Sequence, residues 1–160
     1  MPGDARRALV VTVSNRAAAG VYEDRGGPLI VGAIGDLGFT VDGPVVVQDG
    51  DPVEDALREG LRAGYDVIVT TGGTGLTPLD LTPEMTRRVL DREVPGIAEA
   101  IRAAGGPAVP AAALSRAVAG VAGQTLVVNL PGSTGGVRDG LAVLRPILVH
   151  AVDQIHGGDH

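Results

Sequence analysis

The run Gly72-Gly73-Thr74-Gly75 comes directly after an apolar stretch, Asp66–Thr71 (DVIVTT). Three of its four residues carry no Cβ, so the backbone N–H groups can close on an anion such as a phosphate. It is not a P-loop, because GxxxxGK[ST] is absent, and the GxGxxG spacing of a dinucleotide site fails as well. Taken alone it also reads as a plain strand-to-helix turn. The continuation LTPLDLTPE sets Asp80 and Glu84 on the rim of the same loop. Carboxylates beside a phosphate repel it unless a cation neutralises both. Mg2+ held by one or two carboxylates plus phosphate oxygens suits that task.

Asp49 and Asp51 flank Gly50 after another apolar run. Asp51 precedes Pro52 and reads as a helix cap, whereas Asp49 has no such duty and is the better candidate ligand. Pro131-Gly132-Ser133-Thr134 offers a second anion loop with two hydroxyl donors and a helix start behind it, and reads equally as a capped turn. In Leu114-Ser115-Arg116, Ser115 is a candidate anion donor and Arg116 a candidate clamp. Arg138 reads as a surface residue, and Asp24 (EDRGGP) on its own as a solvated loop acid. His156 and His160 are i, i+4 apart, but with Gly157-Gly158 between them they read as an exposed tail, not a metal pair.

These residues need a scaffold. Ala8–Val13, Asp66–Thr71 and Thr125–Leu130 are short apolar runs rich in β-branched residues, the pattern of buried strands, and Thr40–Gln48, which holds VVV, reads as a strand too. Helices are predicted over 28–38, 52–64, 82–93 (Thr82 as cap, Pro83 first) and, after a break at Pro95-Gly96, 96–106. A short helix is predicted within 111–119, and a long last one over 136–155, kinked near Pro146. Residues 14–27 and 107–110 read as loops. The alternation predicts an α/β fold of three layers, α/β/α, with a mostly parallel central sheet and helices on both faces. It is read as a single domain over 1–160 with a loose tail at about 157–160. Ligands of such sheets bind beyond the carboxyl ends of the strands. Ser14-Asn15, Asp49, the Gly72–Gly75 loop and the Pro131–Ser133 loop all fall there.

Composition narrows the chemistry. The net charge of −6 and the lack of a basic run argue against a general nucleic-acid binder. All 13 basic residues are Arg, so Schiff-base chemistry and a P-loop lysine are excluded. Without Cys there is no thiol catalysis, disulfide or thiolate metal site. The three His lie in the last eleven residues, so no His-centred triad comes from the body of the chain. The six-residue run Ala8–Val13, five apolar residues and Thr12, is too short for a signal-peptide core, and no apolar run approaches 18. A cytoplasmic protein without membrane contact is expected.

Five segments are identified together: TVSNRAAAGVYEDRGGP (12–28), TTGGTGLTPLDLTPE (70–84), REVPGIAEAIR (92–102), LSRAVAG (114–120) and TLVVNLPGSTGGVRDGL (125–141). In this order they resemble the Mog/MoaB family of molybdenum-cofactor biosynthesis proteins, which is similar to the G domain of gephyrin and of the plant Cnx proteins. The resemblance covers nearly the whole chain. It implies a molybdopterin-binding α/β domain, assembled as a homotrimer and sometimes a hexamer, that works with other molybdenum-cofactor biosynthesis proteins. It also implies molybdopterin adenylyltransferase activity, in which Mg2+-ATP and molybdopterin give adenylylated molybdopterin and pyrophosphate.

With the residue reading, the resemblance gives a candidate set. Asp49 and Asp80 are expected to be catalytic and, with Glu84, to hold the metal. Gly72, Gly73, Thr74, Gly75, Pro131, Gly132 and Ser133 are expected to bind nucleotide and phosphate. Asp24, Ser14, Ser115 and Arg116 are expected to bind molybdopterin. Three positions depart from the family pattern: Asn15 replaces an Asp, Leu79 an Arg, and Thr134-Gly135 a Pro and a basic residue. They leave a second reading open, a molybdopterin carrier or scaffold without nucleotide chemistry.

Overall fold

The computed structural model describes residues 5–158. Its strands are β1 (Arg7–Val13), β2 (Thr40–Val47), β3 (Val67–Thr71), β4 (Arg92–Glu93), β5 (Ala119–Ala122) and β6 (Thr125–Leu130). They form one sheet in the order β2-β1-β3-β6-β5-β4. The first four neighbours pair in parallel, and β5 runs antiparallel to both β6 and β4. The helices are α1 (Asn15–Ala18), α2 (Gly26–Gly35), α3 (Asp51–Ala63), α4 (Thr82–Arg87), α5 (Pro95–Ala103), α6 (Thr134–Leu144) and α7 (Leu148–Ile155).

The period-two alternation of the strands divides the core. Ala8, Val10, Val67, Val69, Leu126 and Val128 face α2, α5, α6 and α7 through Ile30, Ile34, Ile101, Val137, Leu141 and Leu148. Leu9, Val11, Ile68 and Val127 face α3 and α4 through Val53, Leu57 and Met85. Each fully buried Val, Leu or Ile contributes about 1.5–3 kcal/mol, so both layers are firmly attached. The predicted three-layer α/β/α class with a mostly parallel sheet is the one observed. The chain leaves β1 for β2 on one side and returns to β3 on the other. The order therefore reverses at β1 and β3, where such sheets open a crevice.

Several boundaries differ from expectation. The helix predicted to run to residue 93 stops at Arg87, and Arg92–Glu93 form β4 instead. Of the strand Ala119–Ala122, only Ala119 fell in the expected short helix and the rest was unassigned; its Gly120 lies tight against the neighbouring strand β4. A Cβ on Gly120 would lie 2.7 Å from Leu90 Cδ1 and run into the Arg92 carbonyl. Residues 106–108 and 110–114 are 3-10 turns, and the loop after β1 contains α1. The long last helix is two helices, broken around Pro146, which has no N–H to donate. Gly157 and Gly158 close α7, Gly158 N–H returning to the Asp153 carbonyl at 2.7 Å. The rest of the expected tail, including His160, lies outside the described residues. Among those residues no helix is long and apolar enough to cross a membrane.

Candidate functional site

The ends of β1, β3 and β6 are tied side by side. Thr71 Oγ1 donates to the Pro131 carbonyl at 2.7 Å, and Gly72 N–H to the Leu130 carbonyl at 3.1 Å. Gly72 (φ +96°) and Gly73 (φ +69°) both take the left-handed backbone that only Gly adopts cheaply. A side chain at 72 would strike the Val13 carbonyl, and one at Gly132 would lie 3.4 Å from Gly72 Cα. Glycine thus lets three strand ends converge.

Two clefts open on this junction. The first, about 370 Å³, is lined by Thr12, Ser14, Asp24, Thr71, Gly72, Gly132 and Ser133, among others. Asp24 is fixed there. Its Oδ2 accepts from Thr12 Oγ1 at 2.9 Å and its Oδ1 from Gly27 N–H at 3.0 Å, so it serves the start of α2. Ser14 Oγ accepts from Ala17 N–H at 3.1 Å, and Ser133 Oγ from Gly136 N–H at 3.0 Å. Both hydroxyls cap helices, which is worth about 1 kcal/mol each. Both keep a proton to donate to a ligand.

The second cleft, about 400 Å³, lies on the other side of Gly132 and Ser133. Thr74, Gly75, Ile101, Arg102, Val109, Leu114, Ser115 and Pro131 contribute to its wall. The residues expected to bind molybdopterin are therefore divided. Ser14 and Asp24 line the first cleft, Ser115 lines the second, and Arg116 lines neither.

Two acids reach the Gly72–Gly75 loop from different connections, Asp49 from the end of β2 and Asp80 from the segment before α4. Asp49 Oδ1 accepts from Gly50 N–H and Leu81 N–H, both at 2.9 Å, and its Oδ2 would lie 2.6 Å from a Cβ on Gly73. Asp80 Oδ2 accepts from Thr77 N–H at 3.1 Å and Thr77 Oγ1 at 2.9 Å, and lies 2.9 Å from where a Gly75 Cβ would be. Burial raises the Asp49 carboxyl above its ordinary value, and the neighbouring Asp80 and Glu84 charges add to this. The two N–H donors oppose it. Each of the two aspartates keeps one oxygen without a hydrogen-bond partner among the described residues.

Glu84 and Arg116 form a separate unit. Arg116 Nη1 donates to both Glu84 oxygens, Nε to the Gly75 carbonyl at 2.8 Å, and Nη2 to the Asp80 carbonyl at 2.6 Å. Its backbone N–H holds the Thr74 carbonyl at 2.9 Å. The expected ligand clamp is spent on the chain itself, and the expected metal ligand Glu84 is neutralised by it. No three His, Cys, Asp or Glu side chains converge as a cation cage among the described residues. Two partly unpaired carboxylates fit Mg2+, which takes few protein ligands and completes its shell with water and phosphate oxygens.

The sequence reading missed several residues here. Thr12, which anchors Asp24, is the polar residue in the apolar run Ala8–Val13 of β1, a signal that was available. Asn15 Oδ1 accepts from Asp49 N–H at 2.9 Å, so the departure at 15 still positions an acid. Arg102 Nη1 donates to the Ala117 carbonyl at 2.8 Å and shapes the second cleft.

Residues 9–150 match a family described as "Probable molybdopterin binding domain". The chain is 40% identical over 154 residues to a molybdenum cofactor biosynthesis bifunctional protein of Synechococcus elongatus, covering 96% of this chain and 48% of that protein. It therefore spans about half the length of that relative. It is 40% identical over 146 residues to a molybdopterin adenylyltransferase of Pyrococcus furiosus, covering 88% of this chain and 86% of the other. The molybdopterin biosynthesis Mog protein of Mycobacterium ulcerans superposes with a TM-score of 0.91 at 55% identity, over 94% of this chain and 99% of that one. Fold, loops and similarity agree: the chain belongs to the molybdopterin-binding Mog/MoaB family of molybdenum-cofactor biosynthesis.

Proposed function

We propose that this chain is a molybdopterin adenylyltransferase that uses Mg2+-ATP. The terminal phosphate oxygen of molybdopterin attacks the α-phosphorus of ATP in line. A new P–O–P bond forms as the α–β bond breaks, and pyrophosphate leaves with the electron pair. The Pyrococcus furiosus relative, named as that enzyme, supports the reading over most of the chain.

The observation that carries it is the Gly72–Gly75 loop. Gly72 lines one cleft, Thr74 and Gly75 line the other, and the Asp49 and Asp80 carboxylates occupy the space where side chains at Gly73 and Gly75 would begin. Two clefts sharing the Gly132–Ser133 wall suit two phosphate-bearing substrates that must meet. Asp49 and Asp80 would hold Mg2+, which supplies charge neutralisation to the phosphates. The N–H groups of Gly73, Thr74 and Gly75 and the Ser14 and Ser133 hydroxyls hold phosphate oxygens. A phosphate is already an ionised nucleophile, so the step asks for positioning and electrostatics, not for His, Lys or Cys.

The same reading makes the chain a single domain of a cytoplasmic homotrimer that works with other molybdenum-cofactor proteins. Leu76, Leu79 and Leu114, 63%, 66% and 55% exposed, support an apolar contact face beside the site. Calorimetric titration of ATP tests the nucleotide half of the proposal. Binding is expected with Mg2+ and lost with EDTA, and equal binding without the cation would contradict the metal role.

A further inference from the structure

Thr82 stands where the acid loop enters α4, and it behaves unlike a helix cap. It is the first residue of α4, is fully buried, and its hydroxyl has no hydrogen-bond partner among the described residues. Its N–H donates to the Gly73 carbonyl at 3.1 Å, which pins it beneath the loop. The hydroxyl points over Gly73. At the place where a Gly73 side chain would begin, Asp49 Oδ2 lies at 2.6 Å and Thr82 Oγ1 nearer still. A buried hydroxyl without a bond is unfavourable, and native structures rarely keep one without a purpose. Asp49 Oδ2, over the same point, is an acceptor that also lacks a partner.

We infer that Thr82 is a positioning residue of this site: its hydroxyl donates to Asp49 Oδ2 when a divalent cation and phosphate are bound, and so fixes the carboxylate against the Gly72–Gly75 loop. The inference rests on the metal-nucleotide reading above. A carboxylate oxygen can accept this bond and still face a cation, since each oxygen has two lone pairs. Partners of this kind orient metal-binding carboxylates, and their loss typically weakens metal affinity by 10–100-fold. The requirement also accounts for glycine at 73, where any side chain would separate the two oxygens.

The test is a titration of Mn2+, followed by electron paramagnetic resonance, in the presence of ATP. Wild type is compared with Thr82→Val, which keeps the shape and deletes the hydroxyl, and Thr82→Ser, which keeps the hydroxyl. Thr82→Val is expected to fold with an unchanged or higher melting temperature and to bind Mn2+ roughly tenfold more weakly. Thr82→Ser is expected to bind as wild type does. Equal affinity in wild type and Thr82→Val would overturn the inference and leave the metal-nucleotide reading standing. Equal loss in Thr82→Val and Thr82→Ser would assign the effect to packing and overturn it too. A wild type that binds no Mn2+ with ATP would overturn both.

Discussion

The guanidinium of Arg116 holds Glu84 from one nitrogen, Nη1 reaching Oε1 at 3.0 Å and Oε2 at 2.8 Å. The pair crosses 32 residues of sequence and joins the LSR turn to the first turn of α4. With its other nitrogens Arg116 holds the carbonyls of Gly75 and Asp80, which bracket the exposed stretch 76–79. The Glu84 carboxylate in turn pushes the guanidinium further above its already high pKa, so the clamp stays charged at any working pH. Arg116 therefore shapes the site by holding the loop that carries Asp80.

Replacing Arg116 should separate loop geometry from ligand binding. The ion pair is about a third exposed on each side and contributes only about 1 kcal/mol, so Arg116→Ala, which also frees the Gly75 and Asp80 carbonyls, should cost about 1–3 kcal/mol in urea unfolding. Turnover should fall roughly 10–100-fold, as when supports of a metal site are removed. Molybdopterin affinity, read by pterin fluorescence, should change little. Arg116→Lys should behave almost as badly, because an ammonium cannot reproduce the planar fork. A large loss of molybdopterin affinity with normal turnover at saturation would show instead that Arg116 is a ligand clamp.

Gly73→Ala should be costly in two ways. The left-handed φ of +69° strains any side chain, and the new methyl would strike Thr82 Oγ1 and Asp49 Oδ2. A stability loss of about 1–3 kcal/mol is expected from chemical denaturation. Nucleotide binding should be lost with it. Gly96→Ala, exposed at the start of α5, where nothing lies within 4 Å of the added methyl and φ is not in the left-handed region, should leave both unchanged.

Glu54 supplies a pH test of how α4 is held. Hydrogen bonds from Arg88 and then Arg58 lower its carboxyl below the ordinary value. The native state therefore binds fewer protons than the unfolded chain through the acid range. The stabilisation is present above the ordinary glutamate value and is lost as the pH falls through the lowered one. Wild type should accordingly exceed Glu54→Gln in urea midpoint at neutral pH, and the gap should close on acidification. A gap that stays constant with pH would mean that the charge of Glu54 contributes nothing.

Much of this arrangement was legible because a parallel sheet sends the loop leaving each strand to one end. The placement of Gly72–Gly75, Asp49 and Pro131–Ser133 required only four β-branched runs and their order. Pairings across the sequence left no local trace. Nothing near Glu84 announces Arg116, and nothing near Asn15 announces the amide of Asp49. β5 was invisible for a packing reason: Gly120 has no room for a side chain against Leu90 and the backbone of the neighbouring strand β4, and a short run of Ala and Gly does not read as strand. Thr82 read as a cap from its Thr-Pro-Glu context. Its hydroxyl points at Gly73 instead, and only the fold reveals that Gly73 lies there.

The central claim is adenylyl transfer at the Asp49–Asp80 rim, and a single-turnover experiment tests it most directly. Purified protein, molybdopterin, Mg2+ and ATP labelled at the α-phosphate are mixed and followed for labelled pterin and pyrophosphate. Label should pass to molybdopterin in step with pyrophosphate release and stop with EDTA. It should fall roughly a hundredfold or more in Asp80→Asn, the scale of losing a charge-stabilising group from the transition state, while molybdopterin still binds. Undiminished transfer in Asp80→Asn, or no transfer by a wild type that binds molybdopterin tightly, would contradict the account.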